Sequence, residues 1–429
     1  MDEKIIKDID NIVWWIPFKK LRNSLRNYLL KINNNINILN DNLNILYNKT
    51  NYMINIQNIN AKNIRVKIND SLYTTLLNYD QSIYSSIKPP YISIIVPIYN
   101  INKEHLINCL NSLINQTLKE IEIILVNDCS TNEENDLICS EYALKDQRIK
   151  YIKHKENKGS GGARMTGLKI SKGYAISFVD ADDMLSYNAC EIALVNMIKN
   201  NVDIVAFDFY WVENREYYYV SEHRYDNNFI YGKFIFETLC TKEKIFGQLW
   251  DKIYKRDFLI KLGDDLIPEK ISGQDQVASF KIMYNADSFM YVPLVLYHHN
   301  RHRSSITNTC NEQYIKDRYQ IVEYLYEYSK KNNILDLYSN FLEKYIVYTI
   351  FISTSNFIIK KLYEEPNLSE QYNKIFKEFI LFCINKNYIS IQTFNNFINV
   401  LSSGEISNNC IDINYLLGIC NMVTNILNG

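Results

Sequence analysis

Between Tyr91 and Phe207, short β-branched runs alternate with stretches of helical period, and this alternation limits the fold more than any other feature of the chain. The runs are Tyr91-Ile92-Ser93-Ile94-Ile95-Val96-Pro97, Ile121-Glu122-Ile123-Ile124-Leu125-Val126 and Tyr174-Ala175-Ile176-Ser177-Phe178-Val179, with a further strand expected at Asp203–Phe207. Helical spacing fills 103–116 and 135–145 between them. Strands joined through helices run parallel, because a parallel pair needs a long crossover, and the crossovers cover both faces of the sheet. An α/β fold with a mainly parallel sheet is expected over 91–310.

The flanks read differently. A chain of 429 residues has room for two or three domains. Residues 311–429 carry long helical patterns, such as Phe341, Tyr345, Tyr348 and Ile352, and read as a helical C-terminal domain. Residues 1–90 read as an amphipathic and coiled-coil-like helical extension closed by the Lys88-Pro89-Pro90 linker. Within it, 11–31 join Trp14, Trp15, Phe18 and Leu21 to Lys19, Lys20, Arg22, Arg26 and Lys31 without an acid. That pattern fits a peripheral helix on an anionic membrane and equally a terminal helix packed on its own domain. The spacing of Ile36, Leu39, Leu43, Leu46 and Met53 fits either a short coiled-coil seam, hence a homodimer, or a helix hairpin. A net charge of −1 gives no field for gathering nucleic acid, so no nucleic-acid partner is expected. Nine scattered cysteines without a CxxC pair indicate a reducing compartment, and a charged start without an apolar leader indicates the cytoplasm.

Ligands of open α/β sheets bind beyond the carboxyl ends of the strands. Here those ends are polar: Pro97-Ile98-Tyr99-Asn100, Asn127-Asp128-Cys129-Ser130-Thr131 and Asp180-Ala181-Asp182-Asp183. Three carboxylates in four residues repel one another unless a cation such as Mg²⁺ or Mn²⁺ neutralises them, and Mg²⁺ is commonly shared with substrate phosphates. The same residues also suit an acidic turn with Asp183 capping a helix over 184–199. Lys158-Gly159-Ser160-Gly161-Gly162-Ala163-Arg164 opens a helix and would offer backbone N–H groups and a guanidinium to anionic oxygens, or serve as a plain turn. Asp275 sits at a helix start, as a general base or an N-cap. His298 and His299 follow the apolar run Val292–Tyr297, where one could join a metal shell, and Arg301 and Arg303 beyond them could clamp phosphate or form an exposed basic loop.

Taken in order from Ser93 to Thr307, these motifs resemble an inverting family 2 glycosyltransferase of the GT-A, Rossmann-like fold. The resemblance implies that Pro97, Tyr99, Asn100 and Asp128 embrace the nucleotide, together with Lys158, Gly159 and Arg164. It makes Asp180-Ala181-Asp182 a DXD element, Asp180 near the ribose and Asp182 on the metal, with His298 as a second metal candidate. Trp250-Asp251-Lys252-Ile253-Tyr254-Lys255 is similar to the family's WNKLYK, which puts Trp250 and Lys252 on the acceptor side, and Asp275 matches the catalytic base. The implied activity is Mn²⁺- or Mg²⁺-dependent transfer of a sugar from a nucleotide-diphosphate donor, UDP being the family's usual nucleotide. The acceptor would be a hydroxyl of a glycan or lipid-linked acceptor in capsule or lipopolysaccharide synthesis at the inner face of the membrane. A sugar-phosphate nucleotidyltransferase, or a non-catalytic scaffold of the same fold, remains the alternative.

Overall fold

A computed structural model describes residues 81–213, 216–219, 229–232, 235, 247–300, 312–364, 366–403 and 413–428. These lie in one compact unit, Tyr79–Gly429. The expected membrane-contact segment 11–31 and the coiled-coil-like segment after Ile36 lie outside the described residues.

The strands are β1 (Ile92–Ile98), β2 (Ile121–Asn127), β3 (Ile149–Lys153), β4 (Ala175–Phe178), β5 (Met184–Leu185), β6 (Ile204–Glu213), β7 (Glu216–Tyr219), β8 (Phe229–Tyr231), β9 (Lys252–Lys255) and β10 (Ser288–Asn300). Among the described residues they form one sheet in the order β3-β2-β1-β4-β9-β6-β10-β5, with β7 on β6 and β8 on β10. The pairs β3-β2, β2-β1, β1-β4 and β6-β10 are parallel, and β9 runs antiparallel to both β4 and β6. Nearly every residue of β1 and β2 is buried, as expected of strands covered on both faces.

The covering helices are α1 (Lys103–Ile114), α2 (Glu133–Lys145), α3 (Gly159–Ile170), α4 (Ala189–Asn200), α5 (Arg256–Lys261) and α6 (Gln274–Asn285). Asn102 and Asn132 cap α1 and α2, each side chain accepting from the backbone N–H two residues on. α3 lies close on β1 because Gly167 has no side chain, and a Cβ there would meet Ile95 Cγ2 at 2.4 Å. The bulge in β10 between Val292 and Tyr297 surrounds Pro293, which cannot donate to a ladder. Beyond it, Tyr297 and His298 pair with β5 and run along the polar rim.

Helices α7 (Glu312–Lys331), α8 (Ile334–Tyr345), α9 (Ile352–Glu364), α10 (Ser369–Asn385), α11 (Ile391–Ser403) and α12 (Ile413–Asn428) complete the described chain, with a π-helical turn at Ile346–Phe351. One buried cluster runs from Ile95, Phe178 and Tyr254 in the sheet through Ile315 and Tyr345 to Phe379 and Val423. None of the described helices is long and apolar enough to cross a membrane.

Of the two readings of the acidic turn, the helix-cap alternative fails. Residues 184–199 do not form a helix capped by Asp183; β5 takes Met184–Leu185, and α4 starts at Ala189 after Asn188. Interior partners, described below, draw the Asp183 carboxylate away from any helix end.

Replacing Gly167 with alanine is expected to lower stability by ~1–2 kcal/mol in chemical denaturation. Overpacking against Ile95, typically ~1–3 kcal/mol, exceeds the ~1 kcal/mol gain in helix propensity.

Candidate active site

The three polar strand ends meet on one rim. After β1, Asn100 adopts φ 53°, and its Oδ1 accepts from Thr131 N–H at 2.9 Å, Thr131 Oγ1 at 3.1 Å and Asn132 N–H at 3.0 Å. Its own N–H donates to Ser130 Oγ at 3.1 Å, so Asn100 ties the β1 and β2 loops together. Tyr99 beside it is 41% exposed, an aromatic face open to a planar ring. Asp128 is buried: Oδ1 accepts from Lys158 N–H at 2.8 Å and lies 2.6 Å from His154 Nδ1, while Oδ2 has no hydrogen-bond partner among the described residues. The other His154 nitrogen, Nε2, is 3.0 Å from Thr166 Oγ1. This link from the β2 end to α3 was not foreseen, because His154 stands among Lys and Glu residues with no pattern around it.

The glycines that open α3 have a packing role. A Cβ on Gly161 would lie 2.0 Å from Pro268 O, and one on Gly159, at φ +76°, would lie 2.9 Å from Lys270 N. The segment 268–270 is thereby laid directly on the helix start, and Lys270 N–H donates to Lys158 O at 3.0 Å. The Lys158–Glu269 ion pair, 3.9 Å long with side chains 37% and 53% exposed, is worth only ~0–1 kcal/mol and does not decide this contact. Backbone proximity does, and it carries Asp275 to Arg164.

Arg164 is the centre of the site. Its buried guanidinium donates from Nη1 to Asp275 Oδ1 at 2.8 Å and from Nη2 to Asp180 Oδ1 at 2.5 Å. Asp275 is the second residue of α6, after Gly273 at the N-cap position, and makes no cap bond. Desolvation by the site walls pushes its carboxyl up to about 6, against the lowering pull of Arg164 and Lys252 and with Asp180 and Asp251 raising it. Asp275 is thus more basic than an ordinary carboxylate while still ionised at neutral pH.

Asp183 is fully buried and holds the rim from below. It accepts from Tyr297 OH at 2.7 Å and Asn300 N–H at 2.7 Å, and lies 3.1 Å from His299 Nδ1. Burial raises its carboxyl to about 6, with His299 opposing. Tyr297 OH in turn accepts from Asp180 N–H at 3.1 Å, and Asn300 Nδ2 donates to Asp182 O at 2.7 Å, so β10 fixes the whole turn 180–183. His299, rather than His298, faces these carboxylates. His298 lies 3.0 Å through Nε2 from Ser186 Oγ and, buried, has its pKa lowered to about 4. Arg301 and Arg303 lie outside the described residues.

Trp250 stacks on Tyr297 at 4.5 Å and on His299 at 5.2 Å, forming an aromatic wall. Lys252 is buried; its ammonium donates to Asp251 Oδ1 and to Gln248 O, so it stiffens the turn before β9.

Among the described residues no group of three or more His, Cys, Asp or Glu side chains is arranged to hold a metal ion. Asp183 is engaged by Tyr297, His299 and Asn300, and one Asp180 oxygen by Arg164. Half-buried Asp182 stands between them. This donor set fits an ion shared between one or two carboxylates and substrate phosphates, the usual habit of Mg²⁺, and not a closed protein cage.

Comparison with known proteins bears on the family and the fold. The family model for glycosyl transferase family 2 matches residues 93–263. EpsH of Bacillus subtilis (strain 168), which bears a glycosyltransferase name, is 32% identical over 266 residues, 60% of this chain and 74% of EpsH. Glycosyltransferase GlyA of Streptococcus pneumoniae serotype 4 is 32% identical over 232 residues, 52% of this chain and 32% of GlyA. In fold, the chain is similar to the 1–349 piece of S. aureus TarS crystallised with UDP-GlcNAc, with a TM-score of 0.54 and 19% identity over 78% of this chain and 92% of that one.

Arg164→Gln is expected to destabilise the fold by ~2–3 kcal/mol in a denaturant titration. Breaking a fully buried pair costs ~3–5 kcal/mol, and here the two carboxylates keep 26% and 21% of their side chains exposed, which reduces the loss. Arg164→Lys should recover only part, since an ammonium lacks the fork that spans both aspartates.

Proposed function

The chain belongs to glycosyl transferase family 2, and on that premise we propose that it moves a sugar, with inversion, from a nucleotide-diphosphate donor to a hydroxyl of a glycan or lipid-linked acceptor in cell-surface glycan synthesis. The observation that carries the reading is the Arg164 bridge, which joins the carboxylate of the DXD turn to the carboxylate at the start of α6. Donor and acceptor chemistry then share one pocket.

Pro97, Tyr99, Asn100 and Asp128 form the nucleotide end. The exposed Tyr99 ring supports stacking on a base, and the unpartnered Asp128 Oδ2 supports acceptance of a base N–H, as a uracil ring offers. Lys158, Gly159, Arg164 and Asp180 continue toward the ribose and diphosphate. UDP is the nucleotide in the TarS complex, and a UDP-sugar is the proposed donor. Trp250, buried in its stack on Tyr297 and His299, backs the proposed acceptor side, with Lys252 bracing the turn before β9. Asp182 would hold Mn²⁺ or Mg²⁺ with the substrate diphosphate, while His298, turned to Ser186, is left out of the proposed metal shell. Neutralisation of the departing diphosphate is the chemistry that such an ion supplies when bound.

Asp275 takes the proton of the acceptor hydroxyl as that oxygen attacks the anomeric carbon and the bond from that carbon to the diphosphate oxygen breaks. A carboxyl raised to about 6 is stronger in this role than one of ordinary pKa, and Arg164 keeps it charged and aimed. The attack is a single displacement, so the configuration inverts. The basic and aromatic segment 11–31 supports a peripheral position at an anionic inner membrane face, where a lipid-linked acceptor would be presented.

A thermal-shift panel of nucleotide sugars with Mn²⁺ identifies the donor, since a ligand at 100 times its dissociation constant stabilises by ~2.7 kcal/mol. EDTA is expected to abolish transfer and excess Mn²⁺ to restore it; full activity in EDTA would remove the metal from the scheme. Asp275→Asn should lower turnover by ~10²–10⁴-fold while donor binding persists. Because the raised carboxyl must be ionised, turnover of the unmodified chain should fall as pH drops through about 6. An acid limb near the ordinary pKa of a carboxylate would contradict this.

A further inference from the structure

The segment that carries Asp275 is gripped from the far side by the helical region. Ser272 N–H donates to Asp317 Oδ2 at 2.9 Å. The neighbouring Arg318 donates from Nη2 to Ser272 O and from Nη1 to Gln276 Oε1 at 3.0 Å, so one guanidinium brackets both ends of the 272–276 segment. Its Nε donates to Tyr314 O at 3.2 Å, and the cation lies 4.0 Å from the centre of the Tyr314 ring. From α8, Tyr345 OH donates to Gln276 O at 2.7 Å, and on α9 Ser353 Oγ accepts from Gln276 Nε2 at 3.1 Å. Between these contacts Gly273 adopts φ +85°, and a Cβ there would lie 2.6 Å from Arg318 Nη1 and Nη2.

Arg318 is 1% exposed, and its hydrogen-bond acceptors are the uncharged oxygens of Ser272, Gln276 and Tyr314. Burying a cation costs several kcal/mol even when it is well solvated by protein groups, and a helix can be fastened to a core by apolar packing without that penalty. A fork that reaches two points on either side of one residue supplies what apolar packing does not, a fixed backbone direction. We infer that Arg318, with Asp317 beside it, is a positioning residue for Asp275: α7 fixes the backbone from one side while Arg164 fixes the carboxylate from the other. The inference rests on Asp275 being the base. It makes the helical region part of the catalytic apparatus.

The test uses the full chain carrying Arg318→Gln, Arg318→Lys, Asp317→Asn or Asp275→Asn. Three quantities are read: UDP binding with Mn²⁺ by calorimetry, turnover of UDP-GlcNAc to UDP across pH, and backbone hydrogen exchange at 272–276. For Arg318→Gln, UDP affinity should stay within about twofold while turnover falls ~10–100-fold, the scale of a misplaced reacting group. Exchange at 272–276 should quicken without change in β1 and β2. The acid limb should also move to lower pH as water reaches Asp275, and Arg318→Lys should restore turnover only in part. A folded Arg318→Gln chain with unchanged turnover, or with unchanged exchange at 272–276, overturns the inference; the exchange readout needs no substrate. Should Arg318→Gln lose UDP binding, the isosteric Asp317→Asn decides by the same two readouts. Asp275→Asn separates the two ideas: if it keeps turnover the base assignment falls, whereas a dead Asp275→Asn beside a fully active Arg318→Gln sinks only the positioning role.

Discussion

The guanidinium of Arg164, buried beside the strand ends, requires both carboxylates of its fork, Asp180 and Asp275, which are remote from each other in sequence. That requirement organises the site. It demands that α3 begin beside the end of β4, and that the chain before α6 fold back over the same spot. The glycines at 159 and 161 meet the second demand by letting the backbone at 268–270 come closer than any side chain would permit. The ion pair therefore has little freedom of geometry, and its cost of desolvation is offset by two charge-assisted bonds at once.

A second layer beneath it has the same logic with the signs reversed. Asp183 is a buried carboxylate, and it gathers a phenol, an amide N–H and an imidazole from the last residues of β10. Since Tyr297 also receives the Asp180 N–H, the acidic turn is anchored at both ends and its carboxylates cannot drift apart to relieve their repulsion. The aromatic wall of Trp250 on Tyr297 and His299 closes the same corner.

Much of this was legible in the sequence. The runs at 91–97, 121–126 and 174–179 became β1, β2 and β4, because a strand buried on both faces must be almost wholly apolar. The position of the rim motifs was legible for the same reason, as polar residues following such apolar strands fall where the sheet ends. Other elements were hidden. β3 interleaves Lys150 and Lys153 with its apolar residues, and the short β9 was read only as part of a motif. The cap alternative for Asp183 stayed open in the sequence because local rules see a carboxylate ahead of a helical pattern and cannot see Tyr297 and Asn300 arriving from the other side of the sheet. His154 and Arg318 were missed likewise, since their meaning lies in contacts at long range that no periodicity records.

The direction of β9 has a topological result of its own. In the parallel part of the sheet the chain can only exit toward the rim, so each strand offers the loop that follows it. β9 is inverted between β4 and β6, with Ile253 opposite Ser177 and Lys255 opposite Ala175, so its first residues, not its last, lie level with the end of β4. A segment preceding a strand is thereby admitted to the same edge, and Trp250 arrives by an inbound route where the other rim side chains of β1, β2 and β4 arrive by outbound ones. One reversed strand doubles the ways in which the polypeptide can furnish this edge.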